Sequence, residues 1–200
     1  DILKKYNTDV IRITLHQNHY RSDVNIMDGM FEKYEKKVYN LYKSFAMVNA
    51  IQKEKEILPN AESDIALQIK NGFEKAMDND FNSALAIADL FQYASTLNKY
   101  ITKQKYQEAV DMVAMLKYVY YVLGICQQDP DVVVLQIKNK YLDLYNITES
   151  EILDILDQRT KCKENKDFKG ADRIKNLLLS RNIEVKDGRN NSVDWDFIIK

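Results

Sequence analysis

The sequence predicts a mainly α protein: an antiparallel helical bundle followed by a small α+β C-terminal domain. Three observations carry that expectation. Apolar side chains recur at spacings of three and four through residues 27–122, which is the period of one helix face. Only 5 glycines and 2 prolines occur among 200 residues, too few turn formers for a many-stranded sandwich or barrel. Near the C-terminus the period changes to alternating apolar and charged residues, as in a strand. With 46% hydrophobic and 30% charged residues, a chain of this length can bury roughly 70% of the surface its unfolded form exposes.

The elements follow in order. Residues 9–18 read as a short helix ending in the polar turn His19-Tyr20-Arg21-Ser22-Asp23. A long helix is then predicted from Met27, Phe31, Tyr34, Val38, Leu41, Phe45 and Val48, which share one stripe. Pro59 and Asn60 interrupt it, and Ile65, Ile69, Phe73 and Met77, each four apart, predict a second helix over about 64–77. Asp78-Asn79-Asp80 is expected to cap a third, with Phe81, Leu85, Ala88, Phe91 and Ala94 facing inward. A fourth runs from about Tyr106 to Val122, with Val110, Val113, Leu116, Val119 and Tyr120 inward and Gly124 as its stop. Four helices with short links pack naturally as an antiparallel bundle.

Gln127-Gln128-Asp129-Pro130-Asp131 reads as a linker. Beyond it Val132-Val133-Val134-Leu135 favours a strand locally, whereas Val134, Ile137, Tyr141 and Leu144 fit a helix, which is the preferred reading. Thr148 and Glu151 form a capping-box pattern for a helix from about 149. That helix is expected to break near Lys166-Asp167 and restart at Phe168 with Ala171, Ile174 and Leu178 inward, ending at Asn182. Ile183 to Gly188 then predicts a short strand and turn, closed by Trp195.

Chemistry is sparse. The net charge of −1 gives no global attraction for nucleic acid or acidic membranes. Cys126 and Cys162 are too few for a disulfide framework and too far apart for a zinc pattern, which points to a reducing compartment. No stretch approaches the roughly 18 apolar residues that cross a bilayer. The start at Asp1 rather than Met suggests a processed chain or a piece of a longer one. His16 and His19 have no partner at metal-ligand spacing, and the five glycines are isolated, so no phosphate loop is present. Asp78, Asp80 and Asn82 imitate the start of a calcium loop, but Ser83 stands where glycine is required and Asp89 where a bidentate Glu is required. No catalytic or metal-binding set emerges. The strongest functional feature is Arg159 to Arg181, with eight basic and three acidic side chains on an otherwise acidic chain. A cationic surface beside an aromatic suits phosphate contacts and base stacking on single-stranded RNA. On composition alone, a solvated helix face fits about as well.

Three blocks resemble one family. They are Asp9-Val10-Ile11-Arg12 with His19-Tyr20-Arg21-Ser22-Asp23-Val24-Asn25; Phe73-Glu74-Lys75-Ala76-Met77-Asp78-Asn79-Asp80-Phe81-Asn82-Ser83-Ala84-Leu85; and Arg159, Lys163, Lys166 to Ile174, Asn182-Ile183, Asp187 and Trp195. Their order and spacing resemble the C-terminal part of cysteinyl-tRNA synthetase. The resemblance implies a lead-out from the stem-contact region over 1–27, a four-helix bundle over 28–126, a linker or helix over 127–148 and a small anticodon-recognition domain over 149–200. It implies tRNA(Cys) and the enzyme's own catalytic domain as partners, a cytoplasmic or organellar place, and no membrane. Carried onto this chain, the anticodon-binding residues are Lys163, Phe168, Asp172 and Asp187. Arg21, Lys161, Lys166, Lys169 and Arg173 are candidates for the tRNA backbone. Many members carry Trp and Arg where Phe168 and Lys163 stand; Phe offers less stacking surface, and Lys lacks the planar bidentate fork. The signatures of cysteine activation are missing from this chain, so no cofactor is expected in it, with ATP and zinc expected only in the catalytic domain. The competing structural readings are Phe168 as a core residue, Asp172 paired with Lys169 or Lys175, and Trp195 as packing. A non-catalytic helical module without RNA contacts is the alternative.

Overall fold

The computed structural model describes residues 2–187 and 193–199. It divides into two compact units, one reaching to Val134 and one beginning at Leu135. The first contains α1 (Ile2–Lys5), α2 (Thr8–His16), α3 (Met30–Lys55), α4 (Asp64–Asp78), α5 (Ser83–Thr102), α6 (Tyr106–Tyr120) and a 3-10 turn over Tyr121–Leu123. Helices α3 to α6 make the bundle: α6 packs on α3, α4 and α5, and α5 packs on α3 and α4. The short α2 leans on α3 and α5.

The stripe expected for α3 is the buried one from Phe31 to Val48. Met27 is an exception, because Gly29 in the left-handed conformation starts the helix after it and leaves Met27 exposed. Ile65, Ile69 and Phe73 of α4 and all five expected residues of α6 are buried. Tyr120 donates its hydroxyl to the Ala86 carbonyl and meets Phe73 edge-on at 5.1 Å, which satisfies its polar tip inside the core. Gly124 closes this region with φ of 66°, in the left-handed region that favours glycine.

The inward face of α5 differs from the expected one. Phe81 and Leu85 are exposed, and Ala86, Ile87, Leu90 and Leu97 are buried instead. The reason lies in the cap. Asn82, rather than the aspartates before it, accepts the Leu85 N–H at 3.0 Å and starts the helix, while Asp80 and Phe81 turn the chain with φ of 55° and 50°. Phe81 therefore precedes the helix, and the larger aliphatics one turn further in define its face.

Helix α7 (Pro130–Leu144) replaces the local strand preference of its valines. Asp129 Oδ1 accepts the N–H groups of Asp131 and Val132 at 2.9 and 3.3 Å, and Pro130 occupies the first turn, where its missing N–H costs nothing. This cap fixes the helical start before any β-propensity is expressed.

The second unit holds the rest of α7, α8 (Glu149–Glu164), α9 (Phe168–Ser180) and a two-stranded antiparallel sheet of β1 (Ile183–Asp187) and β2 (Val193–Phe197). The capping box of α8 is complete: Glu151 N–H meets Thr148 Oγ1 at 3.2 Å, and Thr148 N–H meets Glu151 Oε2 at 2.7 Å. Lys166 and Asn182 take left-handed conformations at the two predicted breaks. Ile183 pairs with Phe197 and Val185 with Trp195. Phe197 is buried against Tyr141 and Tyr145, with ring centroids at 5.7 and 5.9 Å. Trp195 is half-buried, edge-on to Phe197 at 5.3 Å with the Lys138 ammonium 4.8 Å above its ring. The turn expected at Gly188 lies outside the described residues.

Candidate nucleic-acid interface

The candidate site is built on the junction of α8, α9 and the end of β1. Arg159 and Lys163 stand four residues apart on α8, one above the other on the same face. Asp187 closes β1 opposite them. Arg159 Nη1 and Nη2 donate to Asp187 Oδ1 and Oδ2 at 2.7 and 2.9 Å, a two-pronged planar contact. Lys163 Nζ adds a third bond to Oδ1 at 2.8 Å. Arg159 is 3% exposed, whereas the Asp187 side chain is 47% exposed, so the guanidinium is sealed beneath a carboxylate that still faces water. The Arg159 bonds first, then that of Lys163, hold the Asp187 carboxyl well below the usual carboxylate range. The same carboxylate raises the already high value of Arg159. Arg159 Nε is buried with no hydrogen-bond partner among the described residues.

Phe168 opens α9. Asp167 caps that helix, its Oδ1 accepting the Gly170 N–H at 2.9 Å. A Cβ at Gly170 would stand 2.2 Å from Asp167 Oδ2, so only glycine admits this close approach. The tight turn sets the Phe168 ring outward, 64% exposed. An exposed ring next to cationic side chains is a surface on which an unpaired base can stack. Asp172 lies one turn further along α9, also exposed, and forms no ion pair among the described residues. Its carboxylate is open to accept from an exocyclic amino group.

The free positive charge is smaller than the sequence count suggests. Arg159 and Lys163 are engaged by Asp187, and Lys161 meets Asp157 at 2.6 Å on the helix surface. Lys166, Lys169 and Arg173 are exposed without an ion-pair partner among the described residues. Lys175 and Arg181, further along the segment, are likewise exposed without an ion-pair partner among the described residues, and these five are the cations of the segment at liberty to meet phosphate. Arg21, in the first unit, is a loop tie: its Nη2 lies 3.2 Å from Asp80 Oδ1 and its guanidinium 5.2 Å from the Tyr20 ring centroid. Tyr20 donates to the same Asp80 oxygen at 2.9 Å, and His19 Nε2 lies 3.2 Å from the Asp80 carbonyl. Asp80 thus serves a local network, and no group of three metal-ligating side chains occurs among the described residues.

Sequence reasoning overlooked Arg159 as a member of the site. The available signal was its four-residue spacing from Lys163. Nothing in the sequence indicated that one arginine of a basic run would be buried, because burial depends on the return of β1 to the α8 face. No helix of the described chain is long and apolar enough to cross a membrane.

Comparison with known proteins places these features in context. Residues 72–127 match the family model described as DALR domain, which runs from the second half of α4 through α5 and α6. The chain is 30% identical over 197 residues to a cysteine–tRNA ligase of Syntrophotalea carbinolica, with 94% of this chain and 40% of that relative covered. It is 28% identical to the cysteine–tRNA ligase of Acinetobacter baylyi, over 94% of this chain and 38% of the relative. The same enzyme of Desulfotalea psychrophila is 28% identical, over 94% of this chain and 41% of its own length. The resemblance to cysteinyl-tRNA synthetase therefore extends over nearly the whole chain, which spans about two fifths of the length of these relatives.

Proposed function

We propose that this chain is the tRNA(Cys)-binding, anticodon-reading part of a cysteine–tRNA ligase whose catalytic domain lies outside it. In that enzyme, ATP-dependent activation of cysteine and transfer to the tRNA 3′ end are supplied elsewhere, together with any zinc. The observation that carries the reading is the exposed Phe168 ring, held at a rigid helix start between a carboxylate on α9 and free lysines. A core aromatic would be buried; this one has the surroundings of a stacking platform.

In the proposed complex Phe168 stacks one anticodon base and Asp172 accepts from an amino group of a neighbouring one. Lys166, Lys169 and Arg173 meet the backbone. Asp187 has about four lone-pair sites, and three are taken by Arg159 and Lys163. Among the described residues one remains, on Oδ2, for a base donor. Lys163 can reach a base or phosphate only from a position already shared with Asp187. Arg159 acts as a positioning residue that sets the Asp187 carboxylate in place.

The test is binding of a tRNA(Cys) transcript to the full chain by fluorescence anisotropy at fixed salt. Phe168→Ala should weaken binding by about 1–3 kcal/mol, the range for one lost base stack. Its folding should be unchanged, since the ring is exposed. Unchanged affinity would defeat the proposal.

A further inference from the structure

The first unit contains a concave feature, far removed in chemistry from the cationic surface. A cavity of about 320 Å³ lies between the α3–α4 loop, α4 and α6. That volume falls at the small end of the range of ligand pockets, roughly 300–1,000 Å³. Its walls are apolar, formed by Pro59, Leu67, Ala114 and Met115, with Tyr118 at the mouth, 70% exposed. Glu62 and Lys70 are the charged side chains at its edge.

Its one buried charge is Asp111 of α6, only 2% exposed. Asp111 Oδ1 accepts the Asn60 N–H at 2.7 Å and the Gln107 Nε2 at 2.8 Å. Gln107 Nε2 also donates to the Leu58 carbonyl at 2.9 Å, so the loop is clamped to α6. The clamp uses one oxygen. Oδ2 accepts no hydrogen bond among the described residues, and no cationic side chain of these residues pairs with the carboxylate. Lys70, the cation in the lining, has its ammonium 4.0 Å from Glu74 on the exposed face of α4.

A loop clamp alone does not call for this arrangement. Asparagine would present the same Oδ1 acceptor without a buried charge, and buried carboxylates are rarely left without a countercharge. A carboxylate with one oxygen fixed and the other free, in the lining of a largely apolar cleft, has the chemistry of a cation receptor. The fixed oxygen holds the group in one orientation. The apolar walls accept the aliphatic part of a guest, and the aromatic at the mouth can lie against its stem. A volume of about 320 Å³ has room for a short chain of a few methylenes ending in a nitrogen cation.

We infer that this cleft binds a small aliphatic guanidine or amine, its cationic head on Asp111 Oδ2 and its carbon chain against Leu67, Ala114 and Met115. The site is independent of the RNA reading and stands or falls separately.

The test uses the full chain labelled with nitrogen-15 and titrated with n-butylguanidinium chloride, followed by amide chemical shifts. n-Butylurea, its neutral isostere, is the comparison. The expected result is saturable shifts at Asn60, Asp111 and Met115, with n-butylurea at least tenfold weaker. Asp111→Asn keeps the Oδ1 clamp, and should match or exceed the parent in thermal stability while weakening the cation at least tenfold. Ala114→Leu narrows the cleft without touching Asp111 and should abolish binding, which keeps the test decisive if Asp111→Asn folds poorly. The inference is overturned if no saturable shift occurs at those amides or if n-butylurea binds equally well. Retention of full affinity by Asp111→Asn or Ala114→Leu would overturn it too.

Discussion

Replacing Asp187 by alanine removes the carboxylate that covers a sealed guanidinium, and the size of the effect follows from which partner is buried. Arg159 loses both of its bonds to the carboxylate, at 2.7 and 2.9 Å, and its Nε has no partner among the described residues to begin with. Its side chain is 4% exposed, so water cannot easily take the place of the carboxylate. A hydrogen bond to a charged group contributes about 1.5–3 kcal/mol. The two prongs are not additive, and the acceptor is half exposed, so the expected loss is about 2 kcal/mol. Lys163 is 37% exposed at its end of the triad, and Lys163→Ala should cost below about 1 kcal/mol, the range of surface pairs. Trp195 is the only tryptophan, and it lies in the sheet of the same unit, so its fluorescence during urea unfolding reports this unit. With a denaturant slope of roughly 1 kcal/mol per molar urea for so small a unit, Asp187→Ala should lower the midpoint by about 2 M. The acid dependence has a fixed sign. A carboxyl held low in the folded state adds stability above its unfolded value, near 3.9, and that stability is lost as pH falls below it. Asp187→Asn should therefore flatten the loss of stability below about pH 5. A midpoint unchanged in Asp187→Ala, or a larger loss in Lys163→Ala than in Asp187→Ala, would refute the reasoning.

Other consequences are open to similar measurements. Asp9 is buried and accepts from Tyr42 at 2.6 Å, from the Cys126 N–H at 2.8 Å and from Gln128 at 3.0 Å; Asp9→Ala should cost about 3 kcal/mol in thermal unfolding by leaving buried donors unpaired. Burial raises the Cys126 thiol well above its ordinary value, and Cys162 is half-buried, so a thiol reagent should modify Cys162 and spare Cys126 until the protein unfolds. Mass spectrometry of the labelled native chain decides this. Gly170→Ala should displace the Asp167 cap, lower the stability of the second unit by about 1 kcal/mol in the same urea assay, and weaken tRNA binding through Phe168.

Much of the fold was legible because helical periodicity is strong where a helix buries one face. The stripes of α3, α4 and α6 and the capping box at Thr148 needed no tertiary information. The face of α5 was misread because Phe81 looks like a core aromatic, and only the Asn82 cap shows that the helix starts after it. The helix after Pro130 competed with a run of valines, and the Asp129 cap decided the outcome. For the candidate site, the family resemblance nominated Phe168, Lys163, Asp172 and Asp187 but not their mutual arrangement. It could not show that Asp187 is bound by Arg159 and Lys163, since that contact joins residues 24 and 28 positions apart. Nor could it show which of the basic side chains are engaged by carboxylates and which are free. The Asp111 cleft carries no motif at all, because its walls come from two helices and a loop.

The most direct measurement of the central claim compares two transcripts on the same protein. One is tRNA(Cys) with its GCA anticodon, and the other has the same body with the three anticodon bases replaced. Loss of base stacking and amino-group contacts should weaken the second by tenfold or more, at a salt concentration where both remain measurable. Equal affinities would mean that the chain grips only the phosphate backbone, and the account of Phe168 and Asp172 as readers of bases would be wrong.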